Sequence, residues 1–117
     1  MKKVLVIEND IDTLDLIGYL IEDVGYEVLK SNKKLSVQKI ISISPNLILL
    51  DHFLNDGFGN ELCMEIKAHH LSKHIPVILM SVIAGLEVIA QTSGADAFIP
   101  KPFDVYYLEN KVRELAL

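Results

Sequence analysis

Along the chain, short apolar runs alternate with longer stretches whose apolar residues recur at three- and four-residue steps. The runs at 4–7, 47–50, 77–80 and 97–99 predict strands, and a weaker one at 27–30 predicts a further short strand near a sheet edge. Leu47-Ile48-Leu49-Leu50 is apolar at every position, as expected of a parallel strand covered on both faces. Leu14, Ile17, Ile21 and Val24, with Leu16 and Leu20 on an adjoining row, predict a helix over 12–24. Gly25 ends it where a left-handed residue is expected. Val37, Ile40 and Ile41 mark a modest second helix before Pro45. Leu62, Cys63 and Ile66 face inward on a third, which is capped by Asn60 after a loop over 55–59 and ends by about His70. A short fourth helix over 86–92 stops at Gly94, and Asp104 caps a fifth with Leu108, Val112 and Leu115 on its inner face.

Five strand–helix pairs in alternation predict an α/β domain, (βα)5, with a doubly wound five-stranded parallel sheet and helices on both faces. Right-handed crossovers favour the strand order 2-1-3-4-5, with the winding reversing between the first and third strands. The residues that follow each run then gain meaning. Glu8-Asn9-Asp10 follow the first strand, Asp51 the third, Ser81 the fourth, and Lys101 comes just past the fifth, after Pro100. Parallel strands present their carboxyl ends along one edge, so acids, a hydroxyl and an amine are expected to meet in a single crevice. Such a set suits a divalent cation and a phosphoryl group.

Bulk properties narrow the field. The 117 residues are read as one domain spanning 1–117, half of them hydrophobic, with mean hydropathy +0.33. A net charge of −5 and the lack of any basic run argue against nucleic-acid binding by this domain. The lone Cys63 has no internal disulfide partner and sits among apolar helix positions, so a buried, inert thiol and a cytoplasmic protein are expected. No apolar stretch approaches the ~20 residues of a membrane span. The start, Met1-Lys2-Lys3-Val4, is interrupted by Glu8 and Asp10 too early for a signal peptide.

The motifs Val-Leu-Val-Ile-Glu-Asn-Asp (4–10), Pro-Asn-Leu-Ile-Leu-Leu-Asp (45–51), Asn-Asp-Gly-Phe-Gly (55–59), Pro-Val-Ile-Leu-Met-Ser (76–81), Gly-Ala-Asp (94–96) and Lys-Pro-Phe (101–103) occur in order. Singly each is weak. Together, at their spacing, they make the chain resemble the receiver domains of bacterial two-component response regulators, a CheY-like family with a flavodoxin-like fold. The resemblance runs from Lys3 to Leu115.

That resemblance implies a phosphoacceptor module of a phosphorelay, with Asp51 taking a phosphoryl group from a histidine kinase or phosphotransfer protein. A carboxylate attacks phosphorus poorly unless nearby cations cancel the charge repulsion. Glu8 and Asn9 align with the acidic pair that holds Mg2+ in the family, and Asp51 and the backbone carbonyl of Phe53 complete the implied ligands. Asn9 departs from the pattern. A neutral amide offers oxygen but no charge, so Mg2+ is expected to bind more weakly than in a typical receiver. Asp10 has two readings, assistance through a water or a cap on the first helix.

Ser81 matches the switch hydroxyl and Lys101 the lysine that pairs with the phosphoryl group, aimed by a cis peptide before Pro102. Phe98 takes the place of the aromatic switch on the fifth strand; lacking a hydroxyl, its outward state suits a hydrophobic partner. The face formed by the fourth helix, fifth strand and fifth helix is the implied surface for a downstream protein. The stretch from Ser81 to Gly94 is shorter than usual for the family, so the family's dimer geometries are not expected to carry over. Val82, where a small residue is usual, adds bulk expected to restrict the phosphodonor. Phe53 and Ile83 either screen an acyl phosphate from water or pack in their own loops.

The resemblance implies no turnover of a separate substrate, only the domain's own phosphorylation and dephosphorylation. A second reading is an atypical receiver with impaired metal and phosphate chemistry, acting as a phosphorylation-independent interaction domain. A third, a flavodoxin-like cofactor carrier, would need a first loop rich in Ser, Thr and Gly, whereas Glu8-Asn9-Asp10-Ile11-Asp12 would repel a phosphate. His69, His70 and His74 are read as ordinary cations near a helix end, since Pro76 follows too closely for a shared metal-binding face. His52 is expected to point away from Asp51 by strand alternation. Tyr106 is read as a surface contact and Tyr107 as packed inward.

Overall fold

The computed structural model describes every residue from Met1 to Leu117. In chain order its elements are β1 (Lys3–Ile7), α1 (Ile11–Asp23), β2 (Glu27–Ser31), α2 (Val37–Ile43), β3 (Leu47–Asp51), β4 (Phe53–Leu54), β5 (Gly57–Phe58), α3 (Gly59–Ala68), β6 (Val77–Ser81), α4 (Leu86–Ser93), β7 (Ala97–Pro100) and α5 (Val105–Leu115). Five of the strands form one parallel sheet in the order β2-β1-β3-β6-β7, the doubly wound order expected from the alternation.

Side-chain alternation sorts the sheet into two cores. Leu5, Ile7, Ile48, Leu50, Val77 and Leu79 face α2, α3 and α4, while Val4, Val6, Leu47, Leu49, Ile78 and Met80 face α1 and α5. All four apolar residues of β3 have no exposed surface, and each such Leu or Ile contributes about 1.5–3 kcal/mol of apolar burial. The registers Ile7↔Leu50, Asp51↔Met80 and Ser81↔Pro100 bring the strands' carboxyl ends level.

Helix ends follow local chemistry. Asp10 caps α1, its side chain accepting from the Thr13 N–H at 3.0 Å. Ser36 and Asp104 cap α2 and α5 in the same way. Gly25, at φ 101°, carries the chain out of α1 through a conformation an L side chain resists. No helix is long and apolar enough to cross a membrane.

Four local expectations need correction. Residues 55–59 are not a simple loop: Phe53–Leu54 and Gly57–Phe58 pair as an antiparallel ribbon. Asn60 does not cap α3, whose capping position is Phe58 with no side-chain bond; instead the Gly59 N–H donates to His52 O at 2.6 Å. Leu16 lies on the water side of α1, 51 % exposed. Tyr107 is not packed inward but stands 40 % exposed, with the Lys111 ammonium 5.6 Å from its ring centre.

Candidate functional site

Each strand that ends at the crevice is tied to its neighbour there by backbone bonds. The Glu8 N–H donates to Ser31 O (3.0 Å), the His52 N–H to Met80 O (2.8 Å) and the Lys101 N–H to Ser81 O (2.9 Å). These bonds aim Glu8, Asp51, Ser81 and Lys101 from four different strands into one place, the first three almost fully buried. Lys101 enters through a cis peptide to Pro102, as expected.

Lys101 is the hub. Its ammonium donates to both Glu8 carboxylate oxygens, at 2.9 and 2.8 Å, and lies 3.6 Å from Asp51 Oδ1. Two buried carboxyls thus share one cation. Burial pushes the Glu8 carboxyl up to about 7, and the Asp51 carboxyl beside it pushes the same way while Lys101 pulls down. Asp51 Oδ1 also accepts from the Phe53 N–H at 3.4 Å. Ser81 keeps its hydroxyl close to its own backbone, accepting from the Ile83 N–H at 3.2 Å. On the far side of Asp51, the crevice-facing end of the Asn9 side-chain amide lies 2.8 Å from Phe53 O and 3.0 Å from Asp51 Oδ2.

Glu8 gives the metal-free protein a testable pH dependence. Its folded carboxyl titrates near 7 against an ordinary value of 4.5, so between those values the folded chain binds more protons than the unfolded one. Stability present below pH 4.5 is therefore expected to be lost as pH rises through 7. Thermal melts in EDTA should show this decline in wild type relative to Glu8→Gln; parallel profiles would show that Glu8 is not the titrating group.

Other polar candidates fall outside the crevice. His52 is buried against Phe53 and Phe58, with ring centres 4.9 and 5.5 Å away, and burial holds its pKa below the usual value. Its Nδ1 has no partner. Phe53, 40 % exposed, completes this aromatic trio, and Ile83 is partly buried against the core beneath α2, α3 and α4. Val82 projects into solvent, 70 % exposed. His69 stacks on His70 and accepts from the Leu71 N–H at 3.1 Å, and no group of three His, Cys, Asp or Glu side chains is placed to hold a metal ion. Burial lifts the Cys63 thiol to about 11, which keeps it inert. The largest cleft, about 640 Å3, lies at the opposite edge of the sheet beside Asn46, His74 and Leu117. It is remote from this chemistry.

Two features escaped the sequence reading. Lys67 donates to Ile75 O (2.7 Å) and pairs with Asp96 (2.8 Å), which also accepts from the Val77 N–H (2.8 Å), clamping the amino end of β6. Gly59 packs directly on the Asp51 carbonyl: a Cβ there would come within 2.9 Å of Asp51 C and His52 Cα, and closer still to Asp51 O. The Gly-Phe-Gly spacing after Asn55 was the only hint of it in the sequence.

A family model described as the response regulator receiver domain matches residues 4–113. The chain belongs to that family. This receiver is 34% identical over 110 residues to the phosphate regulon transcriptional regulatory protein PhoB of Pseudomonas aeruginosa, covering 87% of this chain and 46% of PhoB. It is 30% identical over 118 residues to the DNA-binding dual master transcriptional regulator RpaA of Synechocystis, covering 98% of this chain and 49% of RpaA. The receiver therefore spans about half the length of these curated relatives. Among solved structures, a CheY-like receiver domain protein from Methanospirillum hungatei superposes with a TM-score of 0.81 at 31% identity, covering 99% of this chain and 94% of that one. A two-component response regulator from Clostridium difficile gives 0.83 at 26%, covering 98% and 95%.

The donor set fits the Mg2+ that receivers generally use. The Asp51 and Glu8 carboxylates, the Phe53 carbonyl and the Asn9 amide oxygen are all hard oxygens, and the Asn9 amide and the Phe53 carbonyl meet beside Asp51 Oδ2.

Proposed function

We propose that this receiver accepts a phosphoryl group on Asp51 from a phosphohistidine of a histidine kinase or phosphotransfer protein. The observation that carries the reading is a buried carboxylate with an ammonium 3.6 Å away and, on its other side, the Asn9 side-chain amide and the Phe53 carbonyl. An Asp51 carboxylate oxygen forms its bond to phosphorus as the donor's phosphorus–nitrogen bond breaks, and the electron pair leaves with the imidazole. Glu8, Asn9, Asp51 and the Phe53 carbonyl would hold Mg2+, whose contribution is to cancel phosphoryl charge and orient its oxygens. Lys101 must then exchange a Glu8 oxygen for a phosphoryl oxygen. Ser81 gives up its contact with the Ile83 N–H and donates its hydroxyl to another phosphoryl oxygen.

These local exchanges bias a two-state surface. Phe98, half-buried on β7, lines a shallow depression with Tyr107 and Asn110 of α5. Ile83 and Phe98 both pack on the same core cluster, so a shift of the Ser81–Ile83 segment bears on how Phe98 packs. A downstream protein that prefers one Phe98 position reads the phosphorylation state on the α4–β7–α5 face. No role in binding nucleic acid is assigned to this domain.

Incubation with acetyl phosphate and MgCl2 should label the wild-type chain, with peptide mapping placing the label on Asp51, and beryllofluoride should bind only with MgCl2 present. Wild type that neither labels nor binds beryllofluoride would overturn the reading in favour of a phosphorylation-independent interaction domain.

A further inference from the structure

Both neighbours of the crevice-facing end of Asn9 are acceptors: Phe53 O at 2.8 Å and Asp51 Oδ2 at 3.0 Å. An amide oxygen in that position would face two other oxygens with no proton between them. An amide nitrogen makes two good bonds there. Pointing the nitrogen the other way gives a single 3.3 Å bond to Asn55 Oδ1 at an exposed position, where Asn55 can instead turn its own amide to donate. Hydrogen-bond balance therefore selects the nitrogen for the crevice.

We propose that the Asn9 side-chain NH2 is a built-in stand-in for the cation, bridging Asp51 and the Phe53 carbonyl in the metal-free receiver and leaving them only when the amide turns its oxygen inward. A second carboxylate in place of Asn9 could not do this. Unprotonated, it would face Asp51 Oδ2 and a carbonyl oxygen with no donor between them, and only a bound cation would relieve the repulsion. Asn9 thus exchanges metal affinity for a crevice that is satisfied without metal. The metal-free state becomes an ordered resting state, and the cation must displace two protein hydrogen bonds to enter.

The proposal rests on the phosphoacceptor reading for its purpose but not for its test. In nitrogen-15 spectra of the full chain in EDTA, the Asn9 side-chain NH2, assigned by its loss in Asn9→Asp, should exchange with water more slowly than the other asparagine side chains. It should stay slow in Asn55→Ala and become fast as MgCl2 is titrated in. Thermal melts supply the second arm. In EDTA, Asn9→Asp should melt below wild type, whereas MgCl2 should raise its Tm more than that of wild type and bind it about tenfold tighter or more. Fast NH2 exchange in EDTA, or an Asn9→Asp variant melting at or above wild type in EDTA, would overturn the proposal. A slow, protected NH2 in a protein that acetyl phosphate cannot label would leave the bridge standing and sink only the phosphoacceptor reading.

Discussion

Asp51→Asn is expected to take up no phosphoryl group from acetyl phosphate or from a phosphohistidine donor, and yet to melt at a higher temperature than wild type. The first outcome follows because an amide nitrogen carries no nucleophilic electron pair and the amide oxygen is a far weaker nucleophile than a carboxylate. The second follows from charge. Asp51 and Glu8 are both almost fully buried and share the single ammonium of Lys101. The Asp51 charge is among the influences that raise the Glu8 carboxyl. Removing it frees Lys101 to pair with Glu8 alone. At neutral pH in EDTA the gain should be about 1 kcal/mol or more, equivalent to moving one carboxyl by about one pH unit. Equilibrium urea melts read the gain and phosphoprotein gels read the loss. A variant less stable than wild type would mean that the acids of this crevice do not strain the fold.

Gly59→Ala is expected to cost about 3 kcal/mol or more and to impair labelling as well, since overpacking against backbone cannot be relieved by a rotamer change. The new methyl would collide with the Asp51 carbonyl and His52 Cα, both held in the sheet by the His52 N–H bond to Met80 O. Either α3 must retreat or the end of β3 must move. Gly18→Ala is the control. It sits inside α1 against the flexible end of Lys30, whose Cδ lies 3.0 Å from where the alanine methyl would sit and can swing aside. That change should be neutral or stabilising by up to about 1 kcal/mol, since alanine suits a helix interior better than glycine. Equal losses at both positions would refute the close-approach argument.

The fold was legible because its signals are redundant. Four of the five sheet strands are apolar runs, each helix has its own stripe, and one strand order reconciles them with right-handed crossovers. The crevice was legible for the same reason, since strand ends in a parallel sheet share an edge. What escaped notice depends on partners that no local pattern names. Asn60 resembles a cap in sequence, but the first N–H of α3 is already satisfied by His52 O, a backbone group seven residues earlier whose proximity only the folded ribbon creates. Tyr107 lies one residue before Leu108, which alone of the two reaches the core. Glu8 pairs with Lys101, a partner that no local pattern around either residue names. The orientation of the Asn9 amide could not be read from composition at all, since it depends on which atoms of Asp51 and Phe53 surround it.

Glu8 and Lys101 touch across 93 positions of chain. Contacts of such long separation form late, after the intervening loops have been closed at an entropic cost. A ribosome making this chain therefore releases Asp51 well before Lys101, and the crevice lacks its ammonium until β7 has emerged and docked beside β6.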